Sequence, residues 1–241
     1  MTKIRLDIAL TQRKITASRS QAESWVKMGK VTVDGKTAKK PGLFVGPNAE
    51  IKLLADVQYV SRAGLKLASV ADILRLDFKD KTVLDVGSST GGFTDFALRN
   101  GARKVYAIDV GTEQLHPNLR GDRRIELHEK TDIRDFYSDD KPDIIVIDVS
   151  FISLRDILPH LYNFLSNENT QIVAMVKPQF EAGKGQTNKG IIKNDAMRRQ
   201  ILKDFEEWSR DYFVINNKRD SDVAGAKGNQ ERFYLLKPVK K

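Results

Sequence analysis

The sequence predicts an α/β protein in which a small N-terminal α+β domain precedes a larger, mostly parallel sheet of Rossmann-like type. Short apolar runs alternate with helical patterns from residue 62 onward, as in a sheet with helices on both faces. Within that region, residues 82–94 join an apolar strand to a helix through a glycine-rich turn. The first 55 residues differ, since they combine two short helical patterns with closely spaced turn residues.

Composition restricts the chemistry that the chain can carry. Of 241 residues, 40% are hydrophobic, which is enough for an ordinary core. The absence of Cys excludes disulfides, thiolate metal sites and thiol nucleophiles, and the three His lack ligand-like spacing, so we expect no metal. No apolar run reaches the length of about 18 residues that a membrane helix needs, and the first residues do not resemble a signal peptide. We expect a soluble, cytoplasmic protein without membrane partners.

Positive charge is concentrated near the N-terminus. Residues 1–55 contain 11 Lys and Arg against 4 Asp and Glu, whereas the remaining residues contain 30 against 28. A surplus confined to one small segment indicates a surface that binds a polyanion such as RNA.

The N-terminal elements follow from local signals. The apolar spacing predicts a first helix that ends near Arg13 and a second helix over 18–28, which Ser18 starts as a capping box and Gly29 ends. Strands are predicted at 31–33 and 50–54, and Asp34-Gly35 predicts a hairpin turn after the first of them.

This segment resembles the RNA-binding domain of ribosomal protein S-four. The resemblance is carried by Arg5-Leu-Asp7, Ser18-Arg-Ser-Gln-Ala22 and Gly29-Lys-Val-Thr-Val-Asp-Gly35. It implies that the second helix and its surroundings face RNA, and the residues it implicates are Arg5, Arg19, Ser20, Lys27 and Lys30. Each of them alone is equally well explained as a solvated side chain on an amphipathic helix; the local charge surplus favours RNA for the patch as a whole. The predicted domains are 1–55 and 62–241, joined by a linker at 56–61.

The larger domain begins with a predicted helix at 62–75. Predicted strands follow at 82–86, 104–109, 124–128, 143–148, 171–176, 211–216 and 231–237. The last two are close in sequence, so their pairing is expected to be antiparallel.

The glycine-rich turn after the first of these strands predicts a site for a nucleotide-like ligand. No Lys follows Gly91-Gly92 as a P-loop requires, and Ser89 occupies the middle glycine position of a dinucleotide fingerprint. A ligand without phosphate, such as S-adenosylmethionine, fits better. Asp109 ends the next strand, where it can accept the ribose hydroxyls of a bound nucleoside. The alternative is that the glycines only form turns and Asp109 only caps a loop.

Different residues are predicted to contact the methionine end, the ribose and the adenine of this cofactor. The residues assigned to cofactor binding are Asp85, Gly87, Ser88, Gly91, Gly92, Phe93, Asp109, Asp132 and Asp148, with the glycine loop at the methionine end. Asp132 is assigned to the adenine amino group, although a turn-forming Asp explains it equally well.

Four ionisable residues are placed to act next to the cofactor. Asp148 and Lys177 each end an apolar strand, Glu231 begins the last strand, and Lys66 lies on the helix after the linker. The carboxyl ends of parallel strands share one edge, so Asp148 and Lys177 should meet there. Lys66 alone is better explained as a surface Lys, and Glu231 alone as an edge-strand charge; the set is more informative than its members.

Residues 60–237 resemble the FtsJ-type ribose 2′-O-methyltransferases, whose Lys-Asp-Lys-Glu tetrad matches Lys66, Asp148, Lys177 and Glu231 in order and context. With its basic N-terminal segment, the chain is similar to the TlyA family. That match is carried by the motifs at 60–66, 85–94, 148–153, 176–181 and 225–231. Family members are described as rRNA cytidine 2′-O-methyltransferases and, in older usage, as hemolysins. The linker departs from the family, since it reads Asp56-Val-Gln-Tyr59 instead of an Arg/Trp-containing tetrapeptide.

The resemblance implies methyl transfer from S-adenosylmethionine to a ribose of rRNA, with ribosomal RNA or subunits as partners and Lys177 as the residue that takes or steers the proton. Residues 178–194 form a long basic connection that either closes over RNA or is an insertion. Three alternatives stay open: an RNA-binding factor with an inactive fold, a membrane-active hemolysin, and methylation of a protein or small molecule. The sequence does not determine the oligomeric state.

Overall fold

A computed structural model describes residues 3–16, 18–54, 59–183, 185–188, 190–192, 194–223, 225 and 228–240, with only the backbone of Ser20 and Asn188. The N-terminal part contains two helices and five short strands: β1 (Ile4–Arg5), α1 (Leu6–Gln12), α2 (Arg19–Lys27), β2 (Val31–Val33), β3 (Lys36–Thr37), β4 (Phe44–Val45) and β5 (Ile51–Leu53). Strand β2 lies between β3 and β5, and β1 pairs with β4, all antiparallel.

The N-terminal turn and cap predictions are confirmed. The Ser18 Oγ accepts a hydrogen bond from the backbone N–H of Gln21 at the start of α2, and Gly29 follows the helix with a left-handed φ of 70°. Asp34 and Gly35, at φ 49° and 75°, form the turn between β2 and β3.

The larger part is a seven-stranded mixed sheet with helices on both faces. Its elements are α3 (Arg62–Leu74), β6 (Thr82–Val86), α4 (Gly92–Arg99), β7 (Lys104–Ile108), β8 (Ile125–His128), β9 (Ile144–Ile147), α5 (Leu158–His160), β10 (Gln171–Val176), α6 (Pro178–Glu181), β11 (Thr187–Asn188), β12 (Ile191–Ile192), α7 (Asp195–Ser209), β13 (Phe213–Asp220) and β14 (Arg232–Pro238). Short 3₁₀ helices cover Ile133–Asp135 and Leu154–Asp156, and a π-helical turn covers Leu161–Leu165. The strand order is β13-β14-β10-β9-β6-β7-β8.

The central strands are buried on both faces, as parallel strands covered by helices must be. In β6, Val83 packs with the helices α3 and α4, while its neighbour Leu84 packs with α5 and α7 on the opposite face. The chain leaves β6 toward β7 on one side and later returns to place β9 on the other. This reversal opens a crevice at the carboxyl ends of β6 and β9, where open α/β sheets bind ligands.

Strand β14 runs antiparallel to both of its neighbours, as expected for the last pairing. The predicted strand at 211–216 is wrong at both ends, because β13 covers Phe213–Asp220. Its polar second half does not look like a strand in sequence. This half of β13 is a strand because it pairs with β14, in which Tyr234 is opposite Lys218. The register shifts at a bulge between Ile215 and Asn217.

The connection at 178–194 contains regular structure, namely α6 and the β11–β12 hairpin. Its three lysines, Lys184, Lys189 and Lys193, lie outside the described residues. Among the described residues, no helix combines the length and apolar composition that a membrane crossing requires.

The two parts of the chain touch each other. Leu65 of α3 and Val223 belong to the same apolar cluster as the N-terminal helices. The Gln21 side chain in α2 donates a hydrogen bond to the backbone carbonyl of Tyr59. The predicted linker residues 56–58 lie outside the described part of the chain.

Candidate active site

Three adjoining cavities open at the carboxyl ends of the central strands, and Asp148 and Ser150 line all three. The glycine-loop cavity, of about 160 Å³, is lined by Ala63, Asp85, Gly87, Ser88, Ser89, Thr90, Phe93, Asp148, Ser150 and Lys177. The strand-end cavity, of about 380 Å³, includes Asp109, Val110, Asp132, Ile133 and Phe151. The lysine cleft, of about 570 Å³, includes Arg62, Lys66, Asp148, Phe151, Lys177, Phe180 and Glu231.

Two buried polar groups face the glycine-loop cavity. Asp85 Oδ2 accepts a short hydrogen bond of 2.6 Å from Thr94 Oγ1 in α4. Burial raises the pKa of this carboxyl to about 7, and the charge of Asp148 adds to the increase. Within the described residues, Asp85 Oδ1 and Ser88 Oγ have no hydrogen-bond partner. Because buried polar atoms are normally paired, these two indicate a ligand that completes them.

The glycines of the loop have different roles. Gly87 has φ 79°, and a Cβ there would lie 2.8 Å from the carbonyl oxygen of Asp148, so only glycine lets β6 and β9 end so close together. Gly91 and Gly92 do not line the cavities described here. A side chain at Gly92 would meet Ser61 and Ala63 of the α3 start, so its absence allows α3 and α4 to pack.

Asp109 and Asp132 line the strand-end cavity, where each is already held in place. The Asp109 carboxylate accepts hydrogen bonds from the backbone N–H groups of Ser89 and Gly111, at 2.8 and 2.7 Å. Asp132 forms a two-point contact with the Arg134 guanidinium, whose hydrogen bonds lower the Asp132 pKa to about 2. Both carboxylates are therefore oriented before a ligand arrives.

The four residues of the predicted tetrad meet in the lysine cleft as two ion pairs. Lys66 Nζ lies 2.5 Å from Glu231 Oε2, and Lys177 Nζ lies 2.6 Å from Asp148 Oδ1. Lys177 also donates a 2.8 Å hydrogen bond to Ser150 Oγ. All four side chains are largely buried, from 3% to 16% exposed, so each charge has its partner where water is scarce.

Sheet topology explains this convergence. Asp148 follows β9 and Lys177 follows β10, two neighbouring parallel strands that end at the same edge. The antiparallel β14 starts at that edge, since Arg232 pairs with Val176, and Glu231 directly precedes it. Lys66 reaches the cleft from α3.

The predicted RNA-facing residues lie on the N-terminal part. Arg5 and Arg19 both bind the fully buried Asp7, at 2.8 and 2.9 Å, and their own side chains are about half exposed. The Arg5 hydrogen bonds lower the Asp7 pKa to about 2. Lys27 and Lys30 are exposed, and the Ser20 side chain lies outside the described residues.

Comparison with known proteins agrees with this architecture. The profile of the FtsJ-like methyltransferases matches residues 59–237, and that of the S4 domain matches residues 4–51. The chain belongs to the FtsJ-like methyltransferase family. It is therefore a methyltransferase with an N-terminal S4 domain.

Two relatives of this FtsJ-like methyltransferase carry the name TlyA. A 23S rRNA (cytidine-2′-O)-methyltransferase TlyA from Campylobacter jejuni is 35% identical, covering 96% of this chain and 98% of its own. A 16S/23S rRNA (cytidine-2′-O)-methyltransferase TlyA from Mycobacterium tuberculosis is 38% identical, and the match covers 98% of this chain and 90% of that protein. A solved structure from Streptococcus thermophilus, described as a candidate hemolysin, superposes with a TM-score of 0.73 at 37% identity. The superposition covers 99% of this chain and 90% of that one.

The structure of this methyltransferase adds side chains to the site that motif reasoning did not select. Ser150 touches Lys177, and Phe151 next to it is 92% exposed with a left-handed φ of 66°. The Phe151 ring lies 5.2 Å from that of Phe180, centre to centre, at the rim of the lysine cleft. The signal in the sequence was a large aromatic residue three positions after the Asp at a strand end.

Glu181 is another residue that motif reasoning did not select. Its buried carboxylate accepts hydrogen bonds from Ser153 Oγ at 2.6 Å and from the Leu154 N–H at 2.7 Å. Burial raises the pKa of Glu181. The residue thereby ties α6, which follows Lys177, to the segment that follows Asp148, so both sides of the lysine cleft are held by one carboxylate.

Asn229 joins the β11–β12 hairpin to the segment before Glu231. Its Oδ1 accepts from the Ile192 N–H at 3.1 Å, and its Nδ2 donates to the Gly190 carbonyl at 2.8 Å. Gly190 and Asn229 both line the lysine cleft. The turn of the hairpin therefore contributes to the lining of the cleft.

Proposed function

We propose that the chain transfers the methyl group of S-adenosylmethionine to the 2′-hydroxyl of a cytidine in ribosomal RNA. The observation that carries the proposal is that two buried Lys–carboxylate pairs line one cleft, which adjoins an acidic cavity at the glycine loop. The names of the TlyA relatives support rRNA as substrate and cytidine as the nucleotide. We assign residues 1–55 to RNA binding, 56–61 to a linker and 62–241 to catalysis.

The residues at the strand ends fit this methyl donor, which supplies an electrophilic methyl group on a positively charged sulfur. The strand-end cavity is lined by Asp109, Asp132 and Asp148 and, among the described residues, by no Lys or Arg. Such a lining suits a cationic ligand and disfavours phosphate. Asp85 and Ser88, with unpaired buried oxygens, would hold the amino-acid end, and Asp109 the ribose.

Apolar side chains complete the donor site. Val110, Ile133 and Ile157 line the strand-end cavity and offer surfaces for a flat adenine ring. Asp132, whose pKa of about 2 keeps it ionised at neutral pH, would accept the adenine amino group.

The lysine cleft would hold the ribose and manage its proton. When the 2′-oxygen attacks the methyl carbon, the carbon–sulfur bond breaks and the hydroxyl proton must leave. Lys177, which pairs with Asp148 as an ammonium at rest, would first release one proton to solvent. Its Nζ, then an amine, would accept the hydroxyl proton, and the Asp148 carboxylate 2.6 Å away would stabilise the ammonium that forms again. Lys66 and Glu231 would orient the ribose from the opposite side of the cleft.

Phe151 would orient the target nucleotide. Its exposed ring stands at the junction of the strand-end cavity and the lysine cleft. RNA enzymes commonly stack an unpaired base on such a ring. Since Phe151 adopts a left-handed φ, its projection from the loop is determined by the backbone.

The test is methyl transfer from radiolabelled S-adenosylmethionine to 30S and 50S subunits from a strain that lacks this gene, followed by nucleotide mapping. We expect label at a discrete cytidine 2′-oxygen. Naked 16S and 23S rRNA, tested in parallel, show whether an assembled subunit is required. Label on a base, on a protein or on no component of either subunit, despite saturable donor binding, would refute the proposal.

A further inference from the structure

The N-terminal part carries an exposed aromatic ring opposite Arg5, one of its two carboxylate-bound arginines. Phe44 in β4 is 63% exposed, although large apolar side chains are usually covered. It lies on the β1–β4 pair, in which Arg5 is directly opposite Phe44 and Ile4 is opposite Val45. Cross-strand partners project on the same side of a sheet, so the Arg5 and Phe44 side chains share one face.

The other face of the same strand pair is turned to the core. Val45 is 3% exposed and belongs to the N-terminal apolar cluster, against which Ile4 also packs. Alternation along the strands therefore explains why Phe44 is directed outward. A ring directed into solvent next to a cation is not explained by the stability of the domain.

Asp7 determines where the two cations lie. Its buried carboxylate binds Arg5 through both oxygens and Arg19 through one of them. The Arg5 guanidinium lies against Gly42, which is two residues before Phe44. A Cβ added to Gly42 would be 3.2 Å from Arg5 Nη1. One carboxylate thus holds two guanidinium groups together, of which that of Arg5 lies on the same face as the ring. These three groups have a net charge of +1, which Glu23, 3.7 Å from Arg19 Nε, offsets in part.

We infer that Phe44 is a stacking platform for an unpaired RNA base, with Arg5 and Arg19 binding the phosphates on either side of that base. A flat, exposed ring close to basic side chains is an arrangement with which proteins hold single-stranded RNA. The surplus of positive charge in residues 1–55 fits this polyanion. The inference rests on the proposed function, because it names how the RNA substrate is held at a distance from the reacting ribose.

Stacking and charge have different dependences on salt, and this difference defines the test. The full-length protein is titrated onto a fluorescent 12-nucleotide oligouridylate and onto a 12-base-pair RNA duplex, from 50 to 300 mM salt. Phe44→Leu keeps an apolar side chain of similar size but removes the ring. We expect Phe44→Leu to weaken single-strand binding by at least about fivefold at every salt concentration, with the slope of log affinity against log salt unchanged.

Control variants separate the ring from other effects. Phe44→Tyr and Phe44→Trp keep a ring and should bind the single strand at least as well as the original protein, to within about twofold. Val214→Ala truncates another exposed apolar side chain, 53% exposed on β13, and should change nothing. Arg5→Gln should reduce the salt slope for the single strand by about 0.7, as expected for one lost phosphate contact.

Several results would overturn the inference. One is that Phe44→Leu and the original protein bind the single strand with equal affinity, and another is that Phe44→Leu loses as much affinity for the duplex as for the single strand. A changed salt slope in Phe44→Leu would also overturn it, as would a failure of the original protein to bind the single strand. If Phe44→Leu fails to fold by circular dichroism, weaker binding by folded Phe44→Trp overturns it. Methyl transfer to ribosomal subunits by the original protein tests the proposed function separately, since it does not depend on this comparison.

Discussion

The protein holds lysines and arginines with carboxylates in two regions, and the two arrangements differ in stoichiometry and in exposure. In the lysine cleft, Lys66 and Lys177 each have a carboxylate of their own, and all four groups are largely buried. In the N-terminal part, Arg5 and Arg19 share Asp7, and only the carboxylate is buried.

The difference follows from the electrostatics of burial. A charge that is removed from water needs a partner close by, so the buried cluster is balanced to zero and its field does not extend far. Arg5, Arg19 and Asp7 together carry a net charge of +1, which Glu23, 3.7 Å from Arg19 Nε, offsets in part. The wider surplus of positive charge in residues 1–55 can attract a polyanion. The first arrangement suits chemistry at one atom, and the second suits binding of a long charged chain.

The largest expected effect is in the buried cluster. Lys177→Ala should lower the rate of methyl transfer by about 10³-fold, as expected when a positioned proton acceptor is removed. Donor affinity and the salt dependence of RNA binding should stay within about twofold of the original values. Rates, donor titrations and RNA titrations check this, with Lys203→Ala, an exposed Lys of α7, as the matched control. If donor binding disappears as well, Lys177 has a structural role instead.

Asp85 tests what happens to a buried carboxylate without a cationic partner. Its folded-state pKa of about 7 lies above the usual 3.8, so the folded protein binds an extra proton between these values. The free energy of unfolding should therefore fall by up to about 4 kcal/mol as pH rises from about 4 to 7, and it should be constant above pH 7. Asp85→Asn should remove this dependence in urea unfolding measured at each pH.

The same substitution should weaken the donor site. We expect Asp85→Asn to reduce affinity for S-adenosylhomocysteine by about 10- to 100-fold at pH 7.5, because a charge-assisted hydrogen bond to the ligand ammonium is lost. Binding to the original protein should tighten between pH 5.5 and 7.5, whereas binding to the variant should not. Unchanged affinity at pH 7.5 would remove Asp85 from the donor site.

Glu181 is a third type of carboxylate, since its strong contacts are a hydroxyl and a backbone N–H. We expect Glu181→Ala to reduce kcat/KM for the RNA substrate by about tenfold while donor affinity changes little, because the segment carrying Phe151 loses its support. Glu181→Gln keeps an acceptor for the Leu154 N–H and should recover part of the activity. A lowered Tm with unchanged kcat/KM in both variants would show that Glu181 only stabilises the fold.

The smallest effect is expected in the exposed cluster. Arg19→Gln should weaken RNA binding by about three- to fivefold at 100 mM salt. The slope of log affinity against log salt should fall by about the amount expected for one lost phosphate contact. It should leave donor binding unchanged. Lys52→Gln is the matched control, since Lys52 is exposed and already paired with Glu50. An equal loss in both variants would mean that only total charge matters and that the Asp7 arrangement is unimportant.

Much of the fold could be predicted because its signals are local. The apolar run 82–86 and the glycine turn behind it define β6 and the start of α4 within one stretch of chain. Caps at Ser18 and Gly29 determine α2 in the same way. Strand β13 was misplaced because half of it is polar, and it forms through pairing with a partner that lies 12 residues further along the chain.

The sequence by itself determined which residues end the central strands, since a polar side chain after an apolar run is a local pattern. It thereby identified Asp148 and Lys177 as candidates, and the resemblance to a Lys-Asp-Lys-Glu tetrad added Lys66 and Glu231. Only the tertiary structure decided how they pair, because the partners are 29 residues apart in one pair and 165 in the other and meet through the strand order β14-β10-β9. The same holds for Asp7, Phe44 and Glu181, whose roles depend on neighbours that only folding brings close. Local preferences are encoded over a few residues, whereas charge pairing and burial depend on the whole packed chain.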